Sequence, residues 1–329
     1  MKNGIIKGIL ALIALLAVST LCVCVGSVNI PLADVIGVLT GQTGGASRSI
    51  LLNVRLPRVL CSGLSGAALA VCGCAMQGLL RNPLAEGSTL GVSSGAALGA
   101  VLALFLGMQA QTAALLAMAF AFVSFLVILG LAFSLDKSIS TNTIILVGVI
   151  FSMLCSSVLS LIITFAGEKL KTITFWTMGS LAGSTYRDVL LLAAALLLCG
   201  IVLCMNATEL DAFAMGEENA RHIGVNIRRT RLTVMAAVSV LIGVCVSVGG
   251  TIGFVGLIIP HMVRMCTTPK HKRLLPLSML CGALFLMLTD LLSRTLLSPR
   301  ELPIGVITSL IGAVTFFFIF FRSRRSGAR

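Results

Sequence analysis

Charges along this chain fall in small groups separated by long uncharged runs, and those runs predict the architecture. Lys7 and Asp34 enclose 26 uncharged residues, Arg58 and Arg81 enclose 22, and Asp188 and Glu209 enclose 20. A helix needs about 20 apolar residues to cross a bilayer core. Each of these runs therefore predicts one spanning helix. Glu86 and Asp136 enclose 49 residues, enough for two crossings with a break near Gly107-Met108-Gln109. The 32 residues between Arg231 and Arg264 predict one full span and one short one, divided at Gly249-Gly250. Single spans are expected between Lys137 and Glu168, from Arg273 to about Leu297, and from Leu302 to Phe321. The sum is about ten transmembrane helices in one all-α domain covering 1–329. Lys2 and Lys7 ahead of an apolar run also suit a signal peptide. The run is longer than a signal's apolar core and has no clear small-x-small cleavage site, so a retained helix is expected.

Composition agrees with the pattern. Hydrophobic residues make up 57% of the chain and charged residues 11%, against about 25% charged in a soluble domain. A water-soluble enzyme or a disordered chain is thereby excluded. The net charge of +13 does not point to nucleic acid, because Lys and Arg flank the spans instead of forming a stripe with interleaved aromatics. Counted by side across ten spans, sixteen of the 24 basic residues fall with the two termini and eight on the other face. By the positive-inside rule, both termini are expected in the cytoplasm. The eleven cysteines include the pairs Cys22/Cys24 and Cys72/Cys74, but none has the C-x-x-C spacing of a zinc or redox site. Nearly all lie in apolar runs, where Cys serves as a small packing residue.

The informative stretches are the polar islands. Residues 208–231, TELDAFAMGEENARHIGVNIRRTR, are too long for a turn and too short for a domain. Ala212 to His222 reads as one short helix bracketed by Gly216 and Gly224, the latter a C-cap, and it suits a docking helix for a cytoplasmic partner. In GLLRNPLAEGSTLGVSSGAALGA, Asn82-Pro83 ends one helix and starts a turn. Gly91, Ser94, Gly95 and Gly99 then give the next helix a small-residue face. GGTIGFVGLIIPHMVR breaks a helix with small residues and sets Pro260-His261 at its inner end; a structural His is the simpler reading there. Asp290 and Arg294 stand at i, i+4, where an ion pair can form on one face. Such intramembrane charges either serve function or snorkel from the nearby outer end. RLPRVLCSGLSGA (55–67) and ELPIGVITSLIGA (301–313) share five positions, a weak internal echo of the repeats common in transporters. No G-x-x-x-x-G-K-[ST] occurs, so the energy of ATP would have to come from another chain.

Taken together, QGLLRNPLAEGSTLGVSSGAALGA, GEENARHIGVNIRR, GFVGLIIPHMVR, DLLSRTL…ELPIGVITSLIGA, RLPR (55–58) and FWTMGSL (175–181) resemble the FecCD-like permeases of ABC importers for iron–siderophores, haem and cobalamin. The resemblance runs from about residue 50 to 320. Two departures stand out: Glu86-Gly87 where the family usually has Asp-Pro or similar, and Gly312-Ala313-Val314 where it often has Gly-Ala-Pro, which removes a kink. The resemblance implies a multi-pass permease of a bacterial or archaeal cytoplasmic membrane, as a homodimer or paired with a homologous permease. Two cytoplasmic ATPase subunits would carry ATP and Mg, leaving no cofactor on this chain, and an extracytoplasmic substrate-binding protein would dock above. Ala212, Gly216, Glu217, Glu218, Asn219, Arg221 and Gly224 are the expected ATPase-coupling residues. Arg55, Arg58 and Arg294, placed against the positive-inside trend, are expected to dock the binding protein. Gln77, Asn82, Pro83, Gly91, Gly95, Gly253, Gly256, Pro260, His261 and Asp290 are the candidate pathway and structural-motif positions.

The function expected is import of an iron–siderophore or related iron chelate by the membrane subunit of an ATP-driven importer; cobalamin or haem is the alternative. An ion-coupled secondary transporter would need a protonatable group near mid-membrane, for which Asp290 alone comes close. A non-transporting scaffold would use 208–231 only as an anchor.

Overall fold

The computed structural model describes residues 2–26, 28–42, 44–137 and 140–327; side chains of 2–10, 39, 88 and 319–327 are not described. Arg329, one of the basic residues counted for orientation, lies outside the described residues. The described residues form helices and turns, with no strand among them. In chain order the helices are α1 (Lys2–Cys24), α2 (Leu32–Leu39), α3 (Gly45–Ser49), α4 (Leu56–Leu79), α5 (Val92–Phe105), α6 (Ala110–Leu135), α7 (Thr141–Thr164), α8 (Leu170–Thr177), α9 (Tyr186–Met205), α10 (Ala207–Ala214), α11 (Glu217–His222), α12 (Ile227–Gly249), α13 (Val255–Cys266), α14 (His271–Thr295) and α15 (Ile304–Gly327). A π-helical turn, Ile50–Arg55, joins α3 to α4 without a break.

Among the described residues six helices are long and apolar enough to cross a membrane: the α3–α4 rod, α6, α7, α9, α12 and α14. Shorter apolar helices lie at Ala11–Cys24, Val92–Phe105, Val255–Cys266 and Ile304–Phe318. Burial ranks them. The most apolar stretch of the α3–α4 rod is 83% buried and that of α12 is 72%, against 22% for α7 and α9. The first two form the centre, and the outer helices turn Leu, Ile, Met and Phe outward, as a lipid-facing surface requires.

Small residues explain why α4 is central. Gly66 lies against the backbone of Gly282 on α14, and Gly73 lies against Gly256 on α13, so that a Cβ at either position would overlap backbone atoms. In a membrane, helices associate through such close approach, since lipid is as apolar as the side chains. Gly91 does not belong to the small-residue face expected of it. It sits before α5 at φ 74°, turning the chain in the left-handed region, while Gly95 and Gly99 pack on Ser124 and Phe120 of α6. The break expected at Gly249-Gly250 is present, and α13 starts after Phe254 as a short helix that holds Pro260. Helix α15 runs unbroken through Gly312-Ala313-Val314.

Candidate functional site

Three places hold the singled-out residues, at the α10–α11 end of the bundle, in its middle and at the opposite end. At the first, the single helix expected over Ala212–His222 is two. Helix α10 stops at Ala214, Gly216 takes φ 110°, and α11 runs only from Glu217 to His222. The cause is local: Gly216 adopts backbone angles that side chains rarely take, and Asn219 Nδ2 donates to the carbonyl of Met215 (2.8 Å) across the corner. Gly224 closes α11 at φ 89°, its N–H donating to the Arg221 carbonyl (3.0 Å). Ala212 is 3% exposed and faces the bundle, whereas Glu218, Asn219, Arg221, Met215 and Ile223 are exposed.

The corner is fixed to the bundle by charges that sequence reading missed. Buried Arg231 of α12 donates from Nη2 to Glu217 Oε1 (2.5 Å) and stacks over Phe213, 5.8 Å from its ring centre. Thr141, at the start of α7, donates to the same carboxylate oxygen (3.3 Å). Asp211 Oδ1 accepts both the backbone N–H (2.8 Å) and ring Nδ1 (2.7 Å) of His271, the first residue of α14. Glu217 thus serves the interior, and the outward chemistry falls to Glu218, Asn219 and Arg221. Arg231 reads as a flanking charge in the linear sequence, and His271 gives no signal there; only the packing reveals them as buried partners.

In the middle, Gln77 Nε2 donates to the carbonyls of Gly256 and Leu257 (3.2 and 3.1 Å), holding α13 against α4. Gly250 to Gly253 and Gly256 line a cleft of about 80 Å³ together with Glu86, Gly87 and Ser93. Sites that enclose a drug-sized ligand span about 300–1,000 Å³, so this cleft by itself does not enclose a molecule of that size. The FWTMGSL stretch clamps this region: Ser180 N–H donates to Gly249 O (2.9 Å), and the N–H groups of Ile304 and Gly305 donate to Gly179 O and Met178 O (both 3.1 Å). Asn82 and Pro83 form the turn after α4, where Asn82 Oδ1 accepts from the Leu84 N–H (2.9 Å). His261 is half-buried on α13, and Pro260 is buried.

At the opposite end, the three arginines expected to face a docking partner are buried: Arg55 is 4% exposed, Arg58 6% and Arg294 4%. Arg58 reaches Asp290 Oδ1 through Nε (2.9 Å) and both Glu301 oxygens through Nη1 (3.0 and 2.9 Å). Arg294 donates to the Cys22 carbonyl (2.5 Å) and lies 3.4 Å from Asp290 Oδ2. Arg55 donates to the carbonyls of Val23 (2.6 Å) and Cys24 (2.9 Å) and to that of Val28. Their burial has a plain cause. The end of α1 and the 298–303 loop cover these positions, and a covered charge persists only with partners. Arg58 and Glu301 also join the two echoing segments, RLPR and ELPI. Exposed basic groups at this end include Arg48, Lys169, Lys171, Arg187 and Arg300. All eleven cysteines are free thiols, and no group of three or more His, Cys, Asp or Glu is placed to hold a metal among the described residues.

An all-helical bundle with a small-residue core, lipid-facing outer helices, a half-length helix at a central cleft and a firmly mounted polar corner defines a polytopic membrane permease. Residues 12–322 match the FecCD transport family, to which the chain belongs as an ABC importer permease. It is 38% identical over 294 residues to the hemin transport system permease protein HmuU of Yersinia pestis, covering 87% of this chain and 88% of that one. It is 39% identical over 278 residues to the vitamin B12 import system permease protein BtuC of Vibrio vulnificus, covering 83% of each. A solved structure described as an inward-facing conformation of a metal-chelate type ABC transporter superposes with a TM-score of 0.87 at 32% identity, covering 97% of this chain and 99% of that one.

Proposed function

We propose that this chain is the membrane subunit through which an iron chelate, an iron–siderophore or a compound of similar bulk, enters the cytoplasm. Two copies, or one copy and a homologous permease, face each other across the path. Two separate ATPase subunits supply the energy, and a binding protein delivers the chelate from outside. The observation that carries this reading is the α10–α11 corner. It presents Met215, Glu218, Asn219, Arg221 and Ile223 outward from a mount held by buried Arg231 and His271. Such a surface suits a partner that pushes on the bundle. In this reading the corner is cytoplasmic, as are both termini, and ten helices cross the bilayer.

The small central cleft supports a path shared between subunits. Asp290, 1% exposed between Arg58 and Arg294, is held as a structural counter-ion, which favours ATP-driven over proton-coupled transport. Docking of the binding protein falls to exposed Arg48, Arg187 and Arg300 in place of the buried three. A haem or cobalamin cargo is the second reading, favoured by the names of the two relatives. Reconstitution with the partner ATPase and binding protein tests the proposal. ATP-dependent accumulation of an iron–siderophore, competed poorly by haemin and cobalamin, is expected. Accumulation of haemin or cobalamin instead would move the cargo to the second reading.

A further inference from the structure

The contact between Asp211 and His271 stands out because two hydrogen bonds to one carboxylate oxygen join α10 to the first residue of α14. Lys270, the N-cap of α14, offers no side-chain cap to that helix. Asp211 of α10 takes its place, accepting the His271 backbone N–H at 2.8 Å while binding ring Nδ1 at 2.7 Å. A carboxylate at a helix N-terminus satisfies an orphan donor and meets the positive end of the dipole. Because the carboxylate only accepts, Nδ1 carries the proton. Nε2 then faces the Cα of Gly78 on α4, where any Cβ would collide with the ring. His271 is 3% exposed, and its Nε2 has no hydrogen-bond partner among the described residues. The ring is thus wedged between α10 and the end of α4.

Helix α14 is continuous from His271 to Thr295. At a rise of about 1.5 Å per residue, His271 and Asp290 lie about 28 Å apart along it. Its far end is gripped as firmly as its near end: Asp290 binds Arg58 of α4, and Arg294 binds the end of α1. Between the two grips, Gly282 lies against Gly66 of α4. Although Pro276 lies within α14, a packed helix held at both ends is the kind of element that carries coupling between distant sites.

We propose that Asp211 and His271 are positioning residues that join the ATPase-docking corner to α14, so that movement of α10 and α11 is carried along α14 to the charge cluster at the opposite end. This rests on the reading of α10–α11 as the ATPase-docking element.

The test compares wild type, Asp211→Ala, Asp211→Asn, His271→Ala and the Asp211→Ala/His271→Ala double variant, each in liposomes with the ATPase. The readouts are co-purification of the ATPase and the ratio of ATP hydrolysis with the loaded binding protein to that without it. The ratio should fall at least about fivefold in both alanine variants, the lower end of usual coupling between sites. The double variant should fall no further than either single one, since both remove one joint. Asp211→Asn, which keeps the accepting oxygen, should stay within about twofold of wild type. If Asp211→Ala does not insert or assemble, His271→Ala and Asp211→Asn carry the comparison alone. Alanine variants that hold the ATPase and keep the wild-type ratio would overturn the proposal, as would losses that multiply in the double variant. A wild-type complex that neither holds an ATPase nor responds to a binding protein would instead overturn the docking reading beneath it.

Discussion

Asp290 shows at the scale of one side chain how burial decides role. It is 1% exposed and shared between two arginines that are nearly as buried. Replacing it with alanine strands Arg58 and Arg294 without their common counter-ion. A broken buried pair costs about 3–5 kcal/mol, so Asp290→Ala should lower thermal stability in detergent sharply and reduce yield of inserted protein. A proton-carrying Asp290 would give the reverse pattern, with a stable protein and abolished transport. The same logic separates the arginines. Arg58→Glu should fail to fold, whereas Arg187→Glu and Arg300→Glu should fold normally and weaken binding-protein association. That weakening should be largest at low ionic strength and fade as salt screens exposed charges. Titration of the binding protein against each folded variant at two salt concentrations checks this. From the sequence, the i, i+4 spacing of Asp290 and Arg294 made their pairing legible. The covering of all three arginines was not, because it joins segments remote in sequence: Glu301 lies 243 residues from Arg58, and Cys22 lies 272 from Arg294.

Elements were legible to the degree that their signal was local. Long apolar runs mark the helices of the bundle, since lipid leaves a helix no other way to satisfy its backbone. The small-residue stretches marked close approach correctly at Gly95, though Gly91 turned out to be the turn itself. The polar island at 208–231 was recognisable as a docking element, but its mounting and its division into two helices were not. A glycine within a helical pattern is compatible with either a helix or a corner, and only the fold selects φ 110° at Gly216. That choice makes a prediction. A side chain at this backbone conformation costs about 1–3 kcal/mol, which a marginal six-residue helix next to it cannot absorb. Gly216→Val should leave the protein inserted while reorienting α11, and uptake should fall by at least about tenfold. Gly216→Ala should fall between. Membrane fractionation and transport of labelled chelate in the same cells separate insertion from coupling; normal uptake by Gly216→Val would show that the corner is not the coupling element.

In the proposed reading the molecule as a whole works as one half of a machine. Its central cleft is small, its outer helices are apolar, and its polar corner has more mounting than a solvated loop needs. Family motifs that are scattered along the sequence converge in space: RLPR meets ELPI through Arg58 and Glu301, and FWTMGSL holds the end of α12 and the start of α15. Sequence reading could list these stretches but not their meeting, because each contact joins segments more than fifty residues apart. The central claim is that this chain translocates a chelate using ATP hydrolysed on another subunit, with the α10–α11 corner as the point of contact. The most direct measurement is uptake of radiolabelled iron–siderophore into proteoliposomes holding the permease, its ATPase and its loaded binding protein, with ATP and with its non-hydrolysable analogue, across an imposed proton gradient. The account predicts accumulation with ATP alone, none with the analogue whatever the gradient, and loss of accumulation when Glu218, Asn219 and Arg221 are replaced together by alanine. Accumulation driven by the proton gradient without ATP hydrolysis would contradict it.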